Sequence, residues 1–470
     1  MTMTYQETVT YLFNSYPVFE HVGGSAYKEG LYNSHALDEH FGHPHRSYKT
    51  IHVAGTNGKG SCSHTLAAVL QSAGYRVGLY TSPHLVDFRE RIKVNGTPIS
   101  EQRVIDFVES ERENFEPLHP SFFELTTAMA FLYFKEQQAD VAVIEVGLGG
   151  RLDCTNIITP ILSVITNISF DHTQFLGNTL AKIAYEKAGI IKEGIPVVVG
   201  ETTEETRPVF VQTARERHAP LVMAEDCREV IGASENAYGG RDYQTKGYGI
   251  LHGALGGDYQ DKNANTILTA IDVLRGETDR HKAPSHERRD ATTLGLNNGM
   301  TTAQGSVDDA NHSPAPLLRI MPEHVREGFE RVCELTGLTG RWQTLRKRPL
   351  VICDTGHNVG GWNYLSRQIK HRSCTHLRMV FGMVDDKDVD GVMCLLPENA
   401  IYYWTQARSK RALPASVIAE KGMRHRLQGQ VFGSVADAYH AAIHDAQPDD
   451  FIFIGGSSYI VADLLALNDF

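Results

Sequence analysis

Cysteine pairs are missing from this chain. Its seven cysteines (Cys62, Cys154, Cys227, Cys333, Cys353, Cys374 and Cys394) are odd in number and never fall in a C-x-x-C spacing. Neither a zinc site nor a disulfide framework is indicated, and a reducing compartment fits better. No stretch approaches the roughly 18 consecutive apolar residues that a membrane helix requires. The N-terminal run MTMTYQETVTYLFNSYPVFE has neither a positively charged start nor a continuous apolar core, and it reads as an amphipathic helix rather than a signal peptide. The expectation is a cytoplasmic protein without a membrane partner. Positive charge is also in deficit: 45 Lys plus Arg stand against 56 Asp plus Glu, a net charge of −11. That sign argues against a nucleic-acid-binding surface, although a local basic cleft remains compatible with it.

What is present is enough apolar material for two or three domains: 470 residues, 41% hydrophobic. Apolar, β-branched runs at Ile51 to Ala54, Val77 to Tyr80, Val141 to Val146, Ile161 to Thr166 and Pro196 to Gly200 read as strands. Helical segments such as Ser61 to Ala73 and Phe122 to Gln137 separate several of them. Continuous apolar strands alternating with helices predict a buried, mostly parallel sheet covered on both faces. A second series, at Leu350 to Cys353, Arg378 to Phe381, Ile401 to Trp404 and Phe451 to Ile454, predicts another α/β unit. Between the two, Gly276 to Pro316 is polar and has no sustained hydrophobic period, so it reads as a disordered insertion. A helix over Met321 to Leu335 then leads to a hinge at Thr339-Gly340-Arg341.

The most informative segment is HVAGTNGKGSCS, His52 to Ser63, which follows a strand and opens a helix. Glycines at 55, 58 and 60 let the backbone of Thr56, Asn57 and Gly58 turn its N–H groups toward anionic oxygens. The helix N-terminus adds favourable electrostatics, and Lys59 can neutralise charge on a terminal phosphoryl group. Ser61 offers a hydroxyl. The string departs from strict G-x-x-x-x-G-K-[ST], because Gly60 separates Lys59 from Ser61. The fold class that follows is α/β: an N-terminal P-loop ATPase-like domain with a mostly parallel sheet, 1–338, plus a smaller Rossmann-like α/β domain, 339–470.

Three donors are expected at the same sheet edge. Glu145 ends an apolar strand, where an unpaired carboxylate is costly unless a cation or partner meets it. His172 follows the next strand, after Asp171, and Ser82 follows the strand ending near Tyr80. Such a set suits Mg²⁺ held by a few protein ligands, waters and ATP oxygens. Each also has an ordinary reading: Ser82 in a turn, His172 as a hydrogen-bonded structural residue, Lys187 as an exposed lysine, Asn263 as a helix N-cap. Arg341, past the hinge, can reach phosphate with its planar donor fork, and Asp354 sits where ribose hydroxyls bind.

HVAGTNGKGS resembles the ATP loop of the Mur-type amide ligases, in their folylpolyglutamate synthase and dihydrofolate synthase branch. The resemblance recurs in order through LYTSPHL, PSFFELT, VIEVGLGGRLDCTNI, TNISFDHTQFLG, EKAGIIK, GDYQDKNA, DTGHN and VDDKD, covering nearly the whole chain. It implies ATP-dependent amide formation between L-glutamate and a carboxylate on dihydropteroate or a folate, through an acyl phosphate, in folate biosynthesis. It further implies two magnesium ions, with Ser82 and Glu145 at one and His172 at another. Lys187 would be carbamylated, and Asn263, Arg341 and Asp354 would contact ATP. Phe122, Phe123, Glu124 and Leu125, with Leu152, Asp153 and Cys154, would line the pterin pocket, the phenyl rings stacking on a flat heterocycle. Lys59, Glu145, His172 and Lys187 are the expected catalytic group, and a monomer is expected. His357 and Lys387 are expected neighbours of the site. Two departures bear on hinge and loop geometry: Thr339 stands before Gly340 where the family commonly has proline, and Gly356 stands where it commonly has alanine. Competing readings are a cell-wall ligase, a regulatory GTPase (whose N-K-x-D is absent) and a non-catalytic nucleotide-binding module.

Overall fold

The computed structural model describes residues 3–17, 30–277 and 316–467. Its larger sheet contains eight strands in the order β4-β3-β2-β5-β1-β6-β7-β8. These are β1 (Lys49–Ala54), β2 (Val77–Tyr80), β3 (Ile92–Val94), β4 (Thr97–Pro98), β5 (Val141–Glu145), β6 (Leu162–Ile165), β7 (Val197–Val199) and β8 (Leu221–Met223). From β2 to β8 every neighbouring pair is parallel, and β3 and β4 add an antiparallel edge. The central strands are buried along almost their whole length because helices cover both faces, which is why they are mostly apolar and show no strict alternation in the sequence. Helix α1 (Lys59–Ser72) leaves the end of β1 and is buried from Ser61 to Leu70. It packs against α4 (Gln260–Leu274) and α5 (Pro322–Glu330), with Leu66, Val69, Leu268, Ile271 and Phe329 in one core. On the opposite face, α2 (Phe122–Glu136) buries Leu125, Met129 and Phe134.

The second large sheet runs β12-β13-β17-β14-β15-β16, built from β12 (Gln343–Lys347), β13 (Leu350–Asp354), β14 (Leu377–Phe381), β15 (Ile401–Trp404), β16 (Gly429–Val431) and β17 (Phe451–Gly455). It is parallel except at β12. Trp362 anchors its core, with ring centroids 5.4 Å from Phe381 and 5.7 Å from Phe453 and its indole N–H donating to Gly356 O at 3.1 Å. The carboxyl ends of the two sheets face each other across a pair of clefts, so the loops after β1, β2, β5, β6, β13 and β14 meet there.

Three elements differ from expectation. An antiparallel sheet of β9 (Val230–Glu235), β10 (Arg241–Thr245) and β11 (Gly249–Gly253) was not anticipated. The buried positions of β10 are Arg241, Tyr243 and Thr245, so polar side chains hide the period-two pattern. The helix expected over Met321 to Leu335 is two, Pro322–Glu330 and Val332–Thr336, broken at Arg331. The expected insertion 276–316 lies, apart from Gly276, Glu277 and Pro316, outside the described residues.

The flanks of that segment meet, since Leu318 N–H donates to Leu274 O at 3.0 Å. Replacing residues 278–315 by a short Gly/Ser linker is therefore expected to leave turnover largely intact and to shift the unfolding free energy by no more than about 1 kcal/mol, because loop-closure entropy varies slowly with length. Steady-state rates and urea titration test this; a collapse in turnover with the fold preserved would reject it.

Candidate active site

The loop after β1 is shaped by two glycines. Gly55 has φ +141°, and a β-carbon there would lie 1.9 Å from Thr166 Oγ1 at the end of β6. Gly58 has φ +85°, and its β-carbon would lie 2.3 Å from Asn263 Oδ1 on α4. Both positions combine a backbone conformation that L side chains rarely adopt with a neighbour that leaves no room. Thr166 Oγ1 donates to Asn57 O at 2.5 Å, and Asn167 Oδ1 accepts from Asn57 N–H at 3.0 Å, pinning the turn to the adjacent strand end. Lys59 Nζ folds back onto the carbonyls of Gly55 and Thr56, both at 3.2 Å. Ser61 is buried and accepts from Gln260 Nε2 at 3.1 Å.

Around this turn lie the predicted donors. Glu145 is 4% exposed, and its Oε2 accepts the Ser82 N–H at 3.3 Å. Burial pushes its carboxyl upward, against the opposing pull of Lys59 and Arg341. A cation at Glu145 would remove that penalty, and the hydroxyl of Ser82 beside it supplies a second hard oxygen, so the pair fits Mg²⁺ or Mn²⁺. His172 stands at the head of the short helix Thr173–Leu176 with φ +50°, a left-handed conformation that costs a non-glycine residue about 1 kcal/mol or more. Its imidazole is held below the usual range by burial first, then by Lys387, His357 and Lys187 against the attraction of Asp171. No group of three His, Cys, Asp or Glu side chains among the described residues is arranged to hold an ion alone. Ser82 and Glu145 are in contact through the Ser82 N–H. Lys187, on α3 (Leu180–Ala188), is buried rather than exposed, and its Nζ donates to Gly55 O at 2.9 Å. Burial, reinforced by Lys59, brings its ammonium down to about 7.

One cleft collects Thr56, Asn57, Gly58, Lys59, Gly60, Ser61, Ser82, Glu145, Asn263, Arg341 and Asp354. Asn263 is not the N-cap of α4: it lies inside the first turn, buried, with its Nδ2 donating to Gln260 Oε1 at 2.8 Å. Arg341 comes within 3.3 Å of the β-carbon position at Gly60. Asp354 is occupied by donors already, from Tyr259 Oη at 2.6 Å, Trp342 N–H at 2.7 Å and Gly356 N–H at 2.7 Å.

A neighbouring cleft is lined by Phe122, Phe123, Glu124, Leu152, Asp153 and Cys154, with Arg91, Lys187, Lys387 and Arg411. Leu125 is the exception among the predicted lining residues. It is fully buried in the core, because successive helix positions point to different faces. Phe123 stacks on Tyr80 with centroids 5.8 Å apart. Glu124 is partly committed to capping α2, accepting from Ser121 N–H at 2.6 Å, and Asp153 braces its own loop through the N–H groups of Gly147 and Leu148 at 3.1 and 2.9 Å. The two clefts share Thr56, Lys59, Ser82, Pro83 and His357 at their junction.

Sequence reasoning missed how the two sheets are tied. Asp171 accepts from Lys387 Nζ at 2.5 Å and Asn358 Nδ2 at 3.1 Å, and His357 Nε2 lies 3.4 Å away. Asn358 also exchanges two hydrogen bonds with Asn57, at 3.1 and 2.9 Å. Burial opposes ionisation of Asp171, but His357 and Lys387 outweigh it and hold the carboxyl well below its ordinary range. The available signal was the recurrence of Asp, Asn, His and Lys in the loops after β6, β13 and β14.

A phosphate loop, a buried carboxylate and an acceptor cleft closed by a second α/β unit define a nucleotide-dependent ligase. The Mur ligase middle domain matches residues 53–224, and the Mur ligase glutamate ligase domain matches residues 340–458. Folylpolyglutamate synthase of Lacticaseibacillus casei is 32% identical over 98% of this chain and 97% of its own length. Among solved structures, Escherichia coli FolC in complex with DHPP and ADP is 28% identical with a TM-score of 0.77, covering 99% of this chain and 98% of that one. A bifunctional folylpolyglutamate synthase/dihydrofolate synthase with Mn, AMPPNP and L-glutamate bound is similar at 28% identity and a TM-score of 0.74, over 100% and 99% of the two chains. The chain belongs to the folylpolyglutamate synthase/dihydrofolate synthase family, ATP-dependent glutamate ligases of folate metabolism.

Two expectations follow from this geometry. Gly58→Ala is expected to weaken nucleotide binding by on the order of tenfold or more, since a positive φ and a blocked β-carbon act together; calorimetric titration with ADP measures it, and unchanged affinity contradicts the account. A double-mutant cycle of Asp171→Asn and Lys387→Met is expected to give a coupling of about 1–3 kcal/mol in unfolding free energy, in the range found for contacting buried pairs. Additive effects would mean that the pair does not hold the sheets together.

Proposed function

We propose that this chain joins L-glutamate to a pterin- or folate-bearing carboxylate, dihydropteroate or a tetrahydrofolate, using ATP. The observation that carries the reading is the shared lip of the two clefts at Thr56, Lys59, Ser82 and His357. A nucleotide seated in the first cleft would present its terminal phosphate to a carboxylate held in the second. The acceptor oxygen attacks the γ-phosphorus, the bond to the β-phosphate oxygen breaks, and ADP departs. The glutamate amine then attacks the acyl carbonyl and phosphate leaves. Lys59 balances charge on the transferring group. The Asp171–Lys387 and Asn57–Asn358 bonds hold the second unit over the junction, which limits water access to the acyl phosphate. No protein nucleophile is required, so Cys62 and Cys154 have no assigned role.

Ser82, Glu145 and His172 would hold divalent metal, which supplies charge stabilisation for the phosphates; two ions are our reading. Thr56 to Ser61, Asn263, Arg341 and Asp354 are assigned to the nucleotide. Phe122, Phe123, Glu124, Leu152, Asp153 and Cys154 are assigned to the heterocycle and its linker. Family members with Mn, AMPPNP and L-glutamate or with DHPP and ADP bound support these classes of ligand. We assign residues 1–338 and 339–470 to two domains, a monomeric state and a cytoplasmic location; no helix among the described residues is long and apolar enough to cross a membrane.

Lys187 is proposed to be carbamylated. Its buried amine, brought down to about 7, is substantially neutral at physiological pH. Only the neutral form attacks CO₂, forming an N–C bond and releasing a proton, so formation rises as pH passes upward through 7. A ¹³C carbamate resonance in labelled bicarbonate that is absent in Lys187→Arg checks this; no resonance above pH 8 rejects it.

The central reading is tested with ¹⁸O in the acceptor carboxylate. One labelled oxygen is expected in the inorganic phosphate for each amide formed, and its absence during authentic product formation overturns the acyl-phosphate step. ADP release with dihydropteroate, a tetrahydrofolate and a cell-wall precursor in turn separates the acceptors, and release with the cell-wall compound alone would reject the folate assignment.

A further inference from the structure

Outside the two clefts, one group of side chains brings together a thiol, an imidazole and a carboxylate. Cys394 is exposed and closes the short helix α6 (Val389–Met393). Its Sγ lies 3.6 Å from Nδ1 of His425, the residue that closes α7 (Ala415–Arg424). The other ring nitrogen of His425, Nε2, lies 3.3 Å from Asp390 Oδ1. The second Asp390 oxygen accepts from Lys421 Nζ at 2.7 Å.

The order of these contacts fixes the chemistry. Hydrogen bonds from Lys421 and then His425 hold the Asp390 carboxyl below its ordinary range, so it is an ionised acceptor. An ionised carboxylate can only accept, so the hydrogen between His425 and Asp390 belongs to Nε2. Nδ1 is left with its lone pair facing the thiol, the tautomer that can take the sulfur's proton. The imidazolium then formed still donates through Nε2 to the carboxylate.

The other cysteines differ in surroundings. Cys62, Cys227 and Cys353 are buried, and Cys154 lines the acceptor cleft. Cys333 is exposed and serves as an internal comparison. Moreover, α6 begins at the N-cap Asp388, immediately after Lys387, the lysine that reaches Asp171. A group attached at Cys394 therefore sits on the helix whose leading flank carries an interdomain contact.

We propose that Cys394, His425 and Asp390 form a thiol-exchange site for small disulfides, separate from the ligase clefts. His425 Nδ1 takes the Cys394 proton, and the thiolate attacks one sulfur of the disulfide. The disulfide bond breaks as the new bond to Cys394 forms, and the departing thiolate recovers the proton from the imidazolium. The balance is one protein thiol and one disulfide giving one mixed disulfide and one free thiol.

The experiment uses the full-length protein and oxidised glutathione at neutral pH, with mixed disulfides located and timed by peptide mass spectrometry. Cys394 is expected to be captured on the order of tenfold faster than Cys333, and His425→Gln is expected to bring Cys394 down toward the Cys333 rate without altering the latter. Asp390→Asn is expected to produce a smaller drop of the same kind, and serves as the second variant should His425→Gln misfold by circular dichroism. Equal rates at the two thiols, or a Cys394 rate that neither substitution moves, would overturn the assignment.

Discussion

Gly55 O receives two ammonium groups, Lys59 from its own loop at 3.2 Å and Lys187 from α3 at 2.9 Å. That carbonyl can face both lysines because Gly55 adopts a φ of +141° against Thr166, where any side chain would collide. The turn, the strand end after β6 and the buried lysine therefore specify one another. Burial first, and then the like charge of Lys59 converging on the same dipole, push the Lys187 ammonium down to about 7. The adjoining cleft is lined by Lys59 together with Arg341 of the second unit.

The second unit is attached through polar contacts as well as the apolar ones that Leu85 and Tyr259 make with its cores. Asp171 is 9% exposed in its side chain and is met by Lys387, Asn358 and His357. Taking the carboxylate out of water is unfavourable by itself, and the three partners recover that loss only while the loops after β13 and β14 stay in place. A contact of this kind is directional and close to break-even, so it can define a closed arrangement without making it permanent. An apolar seam of the same size would be harder to reopen for product release.

The legibility of the sequence followed the physics of burial. The parallel strands β1, β5, β6 and β14 were readable because helices cover both their faces and most of their residues are apolar, despite the buried His52, Ser163 and Arg378. The sheet β9 to β11 was not, since it buries Arg241 and Thr245 and exposes Ile231 and Ile250, inverting the expected pattern. At the site, the glycines and Lys59 announced themselves because few other uses exist for that spacing. Leu125 was misplaced by treating PSFFELT as a surface, although one helical turn must send some of its residues inward. Asn263 failed as an N-cap for a different reason: the first turn of α4 uses it to occupy the space that Gly58 leaves. The partners of Tyr259 and Asn358 were not legible, because they depend on which loops the topology brings opposite each other.

Net charge gave no guidance to the clefts. A chain at −11 nevertheless lines its acceptor cleft with Lys59, Arg91, Lys187, Lys387 and Arg411. The acidic groups there are spent locally: Glu124 on a helix cap, Asp153 on two backbone amides and Asp171 on the second unit. Each of these carboxylates is thus tied to a structural donor at close range. The basic groups come from separate elements, Lys59 from α1, Lys187 from α3 and Lys387 from the loop after β14. Acidity over the whole surface and attraction for anions in one recess are compatible because fields fall off within a Debye length of about 8 Å at physiological salt, while the recess is lined at contact distance.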